Sequence, residues 1–175
     1  MFNTEKQDGV VENPDTETQG YVFNHTMLRV KDPKRSLAFY TGVLGMRLLR
    51  RLDFAEMKFS LYFLVKTADE NIPEDTKERQ IYAFSREGVL EFTHNWGTEN
   101  DDTQYHSGNS EPKGFGHLCF SVPDIRKACA RFEKLGVEFQ KKLDSGSMKD
   151  IAFIKDPDGY WIEIVQADLN GDMGR

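Results

Sequence analysis

The sequence of 175 residues has only two cysteines, Cys119 and Cys129, and it has no long apolar run. Two cysteines are too few for a disulfide framework, which favours a reducing compartment. No apolar stretch approaches the roughly 20 residues that a membrane-spanning helix needs. The polar N-terminus lacks the basic and apolar regions of a secretion signal. We therefore expect a cytoplasmic globular protein that has no membrane partner.

Excess positive charge is absent as well. The chain has 23 Lys and Arg against 29 Asp and Glu, and its formal net charge is −6. An acidic protein of this kind is not expected to bind nucleic acid. A few local Lys and Arg could still bind an anionic small molecule. The hydrophobic share of 38% is enough for a substantial core, which argues against global disorder.

One sequence pattern occurs twice. The stretches "FNHTMLRVKDP" and "FGHLCFSVPD" each predict a strand that leads through a turn into an amphipathic helix. The histidines lie 92 positions apart (117 − 25 = 92), and Gly45 and Gly136 follow the two helices as caps. Such an ordered set of matches indicates an internal duplication. The residues that keep the offset of 92 are Phe23 and Phe115, His25 and His117, Val30 and Val122, Asp32 and Asp124, and Arg35 and Lys127.

Strand signals follow each helix, so each half is predicted to be a β-α-β-β-β unit. The expected fold class is α+β, with mixed, curved sheets that form a groove. We expect a flexible N-terminal arm (residues 1–22), a first unit with a charged insertion and a linker (23–108), and a second unit with a C-terminal tail (109–175). The stretch 79–96, "RQIYAFSREGVLEFTHNW", is predicted to be strand, and "DPDG" at 156–159 a tight hairpin turn.

The helix faces and the cysteines have a simple interpretation. Neither cysteine has a histidine and an acid at triad-like positions, so both are expected in the core. Apolar residues at helical spacing are expected to face inward, namely Leu37, Tyr40, Val43 and Leu44 in the first helix and Ile125, Ala128, Cys129 and Phe132 in the second.

One histidine and one glutamate occupy matching places in each half. His25 and His117 lie early in the first strand of their units, and Glu91 and Glu163 lie in the last strand between large apolar residues. Because side chains alternate along a strand, each carboxylate faces away from those neighbours. A buried carboxylate needs a cation or a proton. We expect the four side chains to meet in a shared groove as a site for zinc, with nickel or cobalt as other candidates.

Each of these residues also has an ordinary structural interpretation. A single histidine in a strand is more often a hydrogen-bonded structural residue than a ligand. Either glutamate could pair with a Lys or an Arg. The duplication favours the metal site, because chance does not readily place a histidine and a glutamate at equivalent strand positions twice.

The chain resembles the glyoxalase I (lactoylglutathione lyase) family of the vicinal-oxygen-chelate superfamily from Phe23 to about Gln166. The resemblance rests on "HTMLRVKDPKRSLAFYTGVLGM", "DFAEMKFSLYFL", "LEFTHNWGTE", "GNSEPKGFGH" and "KDPDGYWIEI". It implies paired βαβββ units, a homodimer, and active sites at the subunit interface. The implied reaction is isomerisation of the glutathione–methylglyoxal hemithioacetal to S-(R)-lactoylglutathione, which detoxifies methylglyoxal with glutathione as co-substrate.

The resemblance also assigns roles to residues. The metal ligands would be His25, Glu91, His117 and Glu163, where mammalian members have glutamine at the first position. The insertion around 72–80 resembles the zinc-using members, so zinc is expected. Glutathione contacts would come from Arg29, Asn95, Lys113, Lys141 and Met148, with Lys113 in place of a frequent arginine. A pocket for the S-substituent would be formed by Phe54, Phe59, Leu61, Phe63 and Phe84.

The expected mechanism is proton transfer from C1 to C2 of the hemithioacetal through a metal-stabilised enediolate. Glu163 would be the main base and would loosen from the metal as substrate binds. Glu91 would be its partner for the opposite face of the substrate.

Three alternatives remain at this point. A dioxygenase of the same fold would use two histidines and one glutamate around iron, with open positions for oxygen. An antibiotic-binding protein would have no use for four metal ligands. A purely structural interpretation requires both His–Glu pairs to be accidents of packing.

Overall fold

A computed structural model describes residues 8–69 and 71–169. Residues 8–22 are all exposed and contain one short 3-10 helix, Thr16–Gly20. The first half then follows the predicted order of elements, with one additional helix. Its elements are β1 (His25–Arg29), α1 (Pro33–Gly42), β2 (Arg47–Phe54), β3 (Phe59–Val65), α2 (Thr76–Phe84) and β4 (Val89–Asn95).

The second half repeats this arrangement without the additional helix. A linker that contains a second short 3-10 helix, Thr98–Asn100, leads into it. Each half is therefore the predicted β-α-β-β-β unit. The elements are β5 (His117–Ser121), α3 (Ile125–Lys134), β6 (Phe139–Lys141), β7 (Ala152–Lys155) and β8 (Trp161–Val165).

The two halves form two four-stranded mixed sheets with matching topology. The strand orders are β1-β4-β3-β2 and β5-β8-β7-β6. In each sheet the first strand pairs in parallel with the last, and the remaining pairs are antiparallel. The α+β fold class is confirmed, and β1 and β5 lie at the edges of their sheets.

Capping residues that occupy matching sequence positions start the two major helices. The Asp32 carboxylate accepts hydrogen bonds from the amides of Lys34 and Arg35, and Asp124 accepts one from the Lys127 amide. These bonds satisfy amide groups that a helix N-terminus leaves without a partner. Gly45 has a φ of +67°, a value that glycine adopts without strain, as expected after a helix.

One hydrophobic core joins the two halves. Leu28, Tyr40 and Phe92 from the first half cluster with Ile125 and Ile162 from the second. The core therefore lies on one face of each sheet, and the opposite face carries the alternate residues of each strand. Every helix in the described part of the chain is too short or too polar to cross a membrane.

The region before β4 differs from the expectation. We predicted strand structure from Arg79 onward, but residues up to Phe84 belong to α2 and the strand begins at Val89. The Asp75 carboxylate caps this helix, and Ala83 is buried against β2 and β3. The apolar run is too short for its periodicity to distinguish helix from strand, and the cap decides the outcome.

The "DPDG" turn fastens the second half to the first. The buried Asp156 carboxylate accepts a hydrogen bond of 2.9 Å from the Tyr40 hydroxyl of α1. Asp158 accepts bonds from the Lys31 amide and the Ser36 hydroxyl. Tyr160 donates from its hydroxyl to the Arg29 carbonyl. These bonds and the shared core hold the two sheets in one fixed arrangement.

Burial raises the pKa of Asp156 from its ordinary 3.8 to about 6. A carboxyl whose folded-state pKa is raised is harder to ionise in the folded protein than in the unfolded chain. Its contribution to stability is therefore unfavourable above pH 6, and the penalty disappears as the pH falls towards 4.

We predict that Asp156→Asn removes this pH dependence. Between pH 6.5 and 4 the free energy of unfolding of the original protein should rise relative to that of the variant by on the order of 3 kcal/mol at most. Urea unfolding at several pH values measures the difference. Asp102→Asn, which changes an exposed carboxylate, is the control. If the free energies of unfolding of Asp156→Asn and the original protein differ by a constant amount across this pH range, the raised pKa of Asp156 is contradicted.

Candidate metal centre

The first histidine and the first glutamate form a close pair. Strand β1 runs parallel to β4 with Met27 across from Glu91, so His25 lies diagonally across from the carboxylate. The His25 Nε2 atom is 3.0 Å from the Glu91 Oε2 atom. Their side chains are 33% and 12% exposed, so the imidazole is open to solvent while the carboxylate is largely covered.

The second half repeats this pair in the same register. Cys119 of β5 lies across from Glu163 of β8, and His117 lies diagonally across from it. The His117 Nε2 atom is 3.3 Å from the Glu163 Oε2 atom, with side-chain exposures of 41% and 16%. The duplication seen in the sequence therefore repeats the same His–Glu arrangement in the structure.

The two pairs do not meet within one chain. Residues 8–69 and 71–169 contain no group of three or more His, Cys, Asp or Glu that could hold a metal. The expected shared groove is therefore not formed by the described residues of one chain, and the four-ligand site stays a prediction. The physical reason is that the pairs lie on different sheets, and each lies on the face opposite to the one that contributes to the shared core.

Each pair fits half of a zinc site. Imidazole nitrogen and carboxylate oxygen are both zinc ligands, bound at about 2.0–2.2 Å. Two such ligands in a tetrahedral site are roughly 3.3 Å apart. The separations of 3.0 and 3.3 Å in the two pairs are close to this value. One pair supplies two ligands, and a closed site needs two more.

A phenylalanine frames each pair at the equivalent position of the third strand in its sheet. Phe63 lies across from Glu91, and Phe153 lies across from Glu163. The ring of His25 meets Phe63 edge-on at 6.0 Å between centroids, and His117 meets Phe153 at 5.3 Å. Phe153 was not among the predicted site residues, although aligning the third strands of the two halves, β3 and β7, would have identified it.

The predicted pocket residues lie together beside the first pair. Phe59, Leu61 and Phe63 of β3 lie across from Asn95, Thr93 and Glu91 of β4 and so share their face. Two further rings extend the wall. Phe54 stacks on Phe59 at 4.6 Å, and Phe84 at the end of α2 meets Phe63 at 5.2 Å.

The predicted glutathione contacts divide between the two halves. Arg29 and Asn95 lie near the first pair, on the same faces of β1 and β4 as His25 and Glu91. The other three residues, Lys113, Lys141 and Met148, belong to the linker and the second half. Lys113 is an exposed side chain whose ammonium is 3.7 Å from the Glu111 carboxylate.

Lys141 is held by the segment that follows it. Its Nζ atom donates to the carbonyls of Met148 and Ile151 at 2.5 and 2.7 Å. Met148 itself is exposed. Lys141 also lies across from Phe153, which places it on the face of the second pair. Its charge is therefore positioned by the backbone of the loop between β6 and β7.

Cys119 is not a core residue. It is exposed on the same sheet face as Glu163, whereas Cys129 is buried as expected. Partial burial, and then the neighbouring Glu163 carboxylate, raise the pKa of the Cys119 thiol to about 11. The thiol therefore stays protonated at neutral pH and donates a hydrogen bond to Glu163. Strand alternation relative to His117 could have revealed this exposure from the sequence.

We predict that Lys141→Met loosens the loop between β6 and β7. Without the ammonium group, the carbonyls of Met148 and Ile151 lose their donor, and amide hydrogen exchange across residues 142–151 should become faster. Hydrogen-exchange mass spectrometry measures this effect. Lys142→Met is the matched control, because the Lys142 ammonium pairs with the Glu133 carboxylate on the surface. Equal exchange in both variants would show that Lys141 does not hold the loop.

The sequence of this chain is similar to those of known proteins. The Glyoxalase/Bleomycin resistance protein/Dioxygenase superfamily matches residues 22–164. A lactoylglutathione lyase of Pseudomonas aeruginosa is 68% identical over 99% of this chain and 98% of its own length. A lactoylglutathione lyase of Pseudomonas putida is 57% identical over 90% of this chain and 92% of its own length.

The fold agrees with a solved structure of the same group. The glyoxalase I of Leishmania major, described as trypanothione-dependent, superposes with a TM-score of 0.62 at 33% identity, over 84% of this chain and 87% of that one. This chain belongs to the Glyoxalase/Bleomycin resistance protein/Dioxygenase superfamily and, within it, to the lactoylglutathione lyases.

Proposed function

We propose that two copies of this chain form the complete enzyme and isomerise the glutathione–methylglyoxal hemithioacetal to S-(R)-lactoylglutathione, with zinc as the metal. The observation that carries this proposal is the pair of matching His–Glu half-sites, each incomplete in its own chain. Relatives that are lactoylglutathione lyases support the reaction.

A second copy supplies what each half-site needs. If the His25–Glu91 pair of one chain faces the His117–Glu163 pair of another, each of the two equivalent sites contains two imidazoles and two carboxylates in total. Twofold symmetry makes both sites identical. The edge strands β1 and β5 and the exposed apolar residues near β1, among them Tyr21, Phe23 and Met27, offer surface for such an association.

The ligand set suits a divalent metal. Zinc accepts nitrogen and oxygen ligands of this kind, and nickel or cobalt would also be accommodated. A divalent cation bound there supplies Lewis-acid stabilisation of the negative charge that develops on the substrate oxygens. The chain's own residues then have to bind the substrate and move one proton.

We assign the proton transfer to Glu163. Its carboxylate would take the proton from C1 of the hemithioacetal and return it to C2. Cys119 lies across from this carboxylate in the neighbouring strand, and its thiol is protonated at neutral pH. Glu91 would serve the opposite face of the substrate, with the Thr93 hydroxyl at 3.5 Å from one of its oxygens.

The remaining predicted residues fit substrate binding across two chains. The phenylalanine wall beside Glu91 would enclose the small S-substituent and exclude water. Arg29 and Asn95 of one chain, with Lys113, Lys141 and Met148 of the other, would contact glutathione. A tripeptide with two carboxylates fits positive charge from both sides.

The two rival functions receive less support. A dioxygenase needs three protein ligands and open positions on iron, whereas two converging pairs supply four ligands. An antibiotic-binding protein of Streptomyces shares the fold at 16% identity, and that likeness extends to the fold alone.

Mixed dimers test whether the site is shared between chains. One chain carries His25→Ala with Glu91→Ala, and the other carries His117→Ala with Glu163→Ala. Each variant alone should be inactive, because every site loses one pair. Co-expressed with different affinity tags and isolated as mixed dimers, they should regain about half of the original activity, since one of the two sites is intact. Thioester formation from methylglyoxal and glutathione, followed by ultraviolet absorbance, measures it. Mixed dimers no more active than either variant would exclude the shared site.

Glu163→Gln tests the general base. The amide retains size and hydrogen bonding but cannot accept the proton, so kcat should fall by at least about 100-fold. The original enzyme and the Glu163→Gln variant are both stripped of metal with chelator. Each is reloaded with zinc, nickel or cobalt in parallel, and the metal content of each sample is determined. Near-normal turnover in a fully loaded variant would refute the role of Glu163. The highest activity with nickel or cobalt would refute zinc as the preferred metal.

A further inference from the structure

Asn24, the residue before His25, forms hydrogen bonds through its side-chain amide and its backbone carbonyl. Asn24 is half-buried, and its amide nitrogen donates to the carbonyls of Ala83 and Arg86 at 2.8 and 2.7 Å. Its amide oxygen is 2.8 Å from Nδ1 of His25. Its backbone carbonyl accepts from the amide of Val89, the first residue of β4. The side chain therefore links the end of α2 to the histidine.

This network determines which histidine nitrogen carries a proton. Both carbonyls around the amide nitrogen are acceptors, so that atom must be the NH₂ group and the oxygen must face the imidazole. An amide oxygen can only accept, so Nδ1 of His25 must donate. The proton on Nδ1 leaves Nε2 for the metal, and Nε2 is the atom that lies 3.0 Å from Glu91.

A second contact from the same helix end restrains the ring. Phe84, the last residue of α2, meets the His25 ring at 6.2 Å between centroids with an interplanar angle of 76°. The imidazole thus has an amide at its Nδ1 side and an aromatic edge against it. Phe84 belongs to the additional helix of the first half, and the Asn24 amide is bonded to carbonyls at the end of that helix and just beyond it.

The matching position of the second half is different. The position that matches Asn24 is 24 + 92 = 116, which is a glycine. Gly116 has no side chain with which to orient His117. The two histidines therefore differ in how they are held, although their pairs with glutamate match.

We infer that Asn24 is a positioning residue for the metal site: clamped by the carboxyl end of α2, it fixes the tautomer and the orientation of His25 so that Nε2 is presented to the cation. A ligand that is oriented in advance loses less freedom when the metal binds. This inference rests on the proposed role of His25 as a ligand.

Zinc affinity, measured by competition with a chromophoric chelator, tests the inference without reference to catalysis. Asn24→Ala should raise the zinc dissociation constant by about 10- to 100-fold, the usual effect of losing a partner of a ligating histidine. Asn109→Ala is the matched control. The Asn109 amide also bonds backbone carbonyls, those of Ser107 and Gly116, but it does not contact an imidazole. The zinc dissociation constant of the Asn109→Ala variant should stay within about threefold of that of the original protein.

A double-mutant cycle separates orientation of the ring from general destabilisation. His25→Gln supplies an amide ligand that has no tautomer to fix. In that background Asn24→Ala should weaken zinc binding by less than about threefold. The same 10- to 100-fold loss in both backgrounds, or an Asn24→Ala affinity within threefold of the original, would overturn the inference. An original protein that binds no zinc would instead refute the proposed metal site.

Discussion

The parallel pairing of the first and last strand in each sheet is the constraint on which the site depends. It sets Met27 across from Glu91 and Cys119 across from Glu163, and each histidine then lies diagonally within 3.3 Å of its glutamate. A shift of either register by one residue would turn the glutamate towards the core. The alternate residues of the same strands, including Leu28 and Ile162, build that core. The same strand register therefore determines both the packing of the core and the placement of the His–Glu pairs.

The same core explains why one chain cannot complete the site. The apolar faces of the two sheets and the helices α1 and α3 share one core, and the bonds of Asp156 to Tyr40 and of Asp158 to α1 lock the arrangement. Both ligand pairs are thereby held on outward faces, where they remain partly open to solvent. In the proposed dimer, a second copy would bring the opposite pair to each of them. Stability within the chain and incompleteness of its sites have a common origin.

Much of this could be predicted from the sequence because the duplication repeats physical signals. The aspartate caps, the terminal glycines, the alternation of the strands and the matching His–Glu positions all predict the observed elements. Sequence equivalence does not show whether matching residues meet within a chain or between chains, and the described residues of one chain do not bring the two pairs together. Residues 79–84 were misassigned because a short apolar run fits both periods. The exposure of Cys119 follows from strand alternation relative to His117.

Asn24 illustrates what the sequence cannot show. Its role depends on two carbonyls about 60 positions away, that of Ala83 in α2 and that of Arg86 just after it, and carbonyl groups have no sequence signature. The same holds for Lys141, which is held by backbone atoms of its own loop. Side-chain types identify the ligands, whereas the groups that orient them are supplied in part by the backbone of a fold that must first be known.

The zinc content of the assembled protein, with the coordination of that zinc, tests the shared site most directly. A site shared between two chains predicts one zinc per chain, and X-ray absorption spectroscopy should find two imidazole nitrogens around each ion. Two zinc ions per chain, each with a single imidazole, would show that the pairs bind metal independently and would contradict the account.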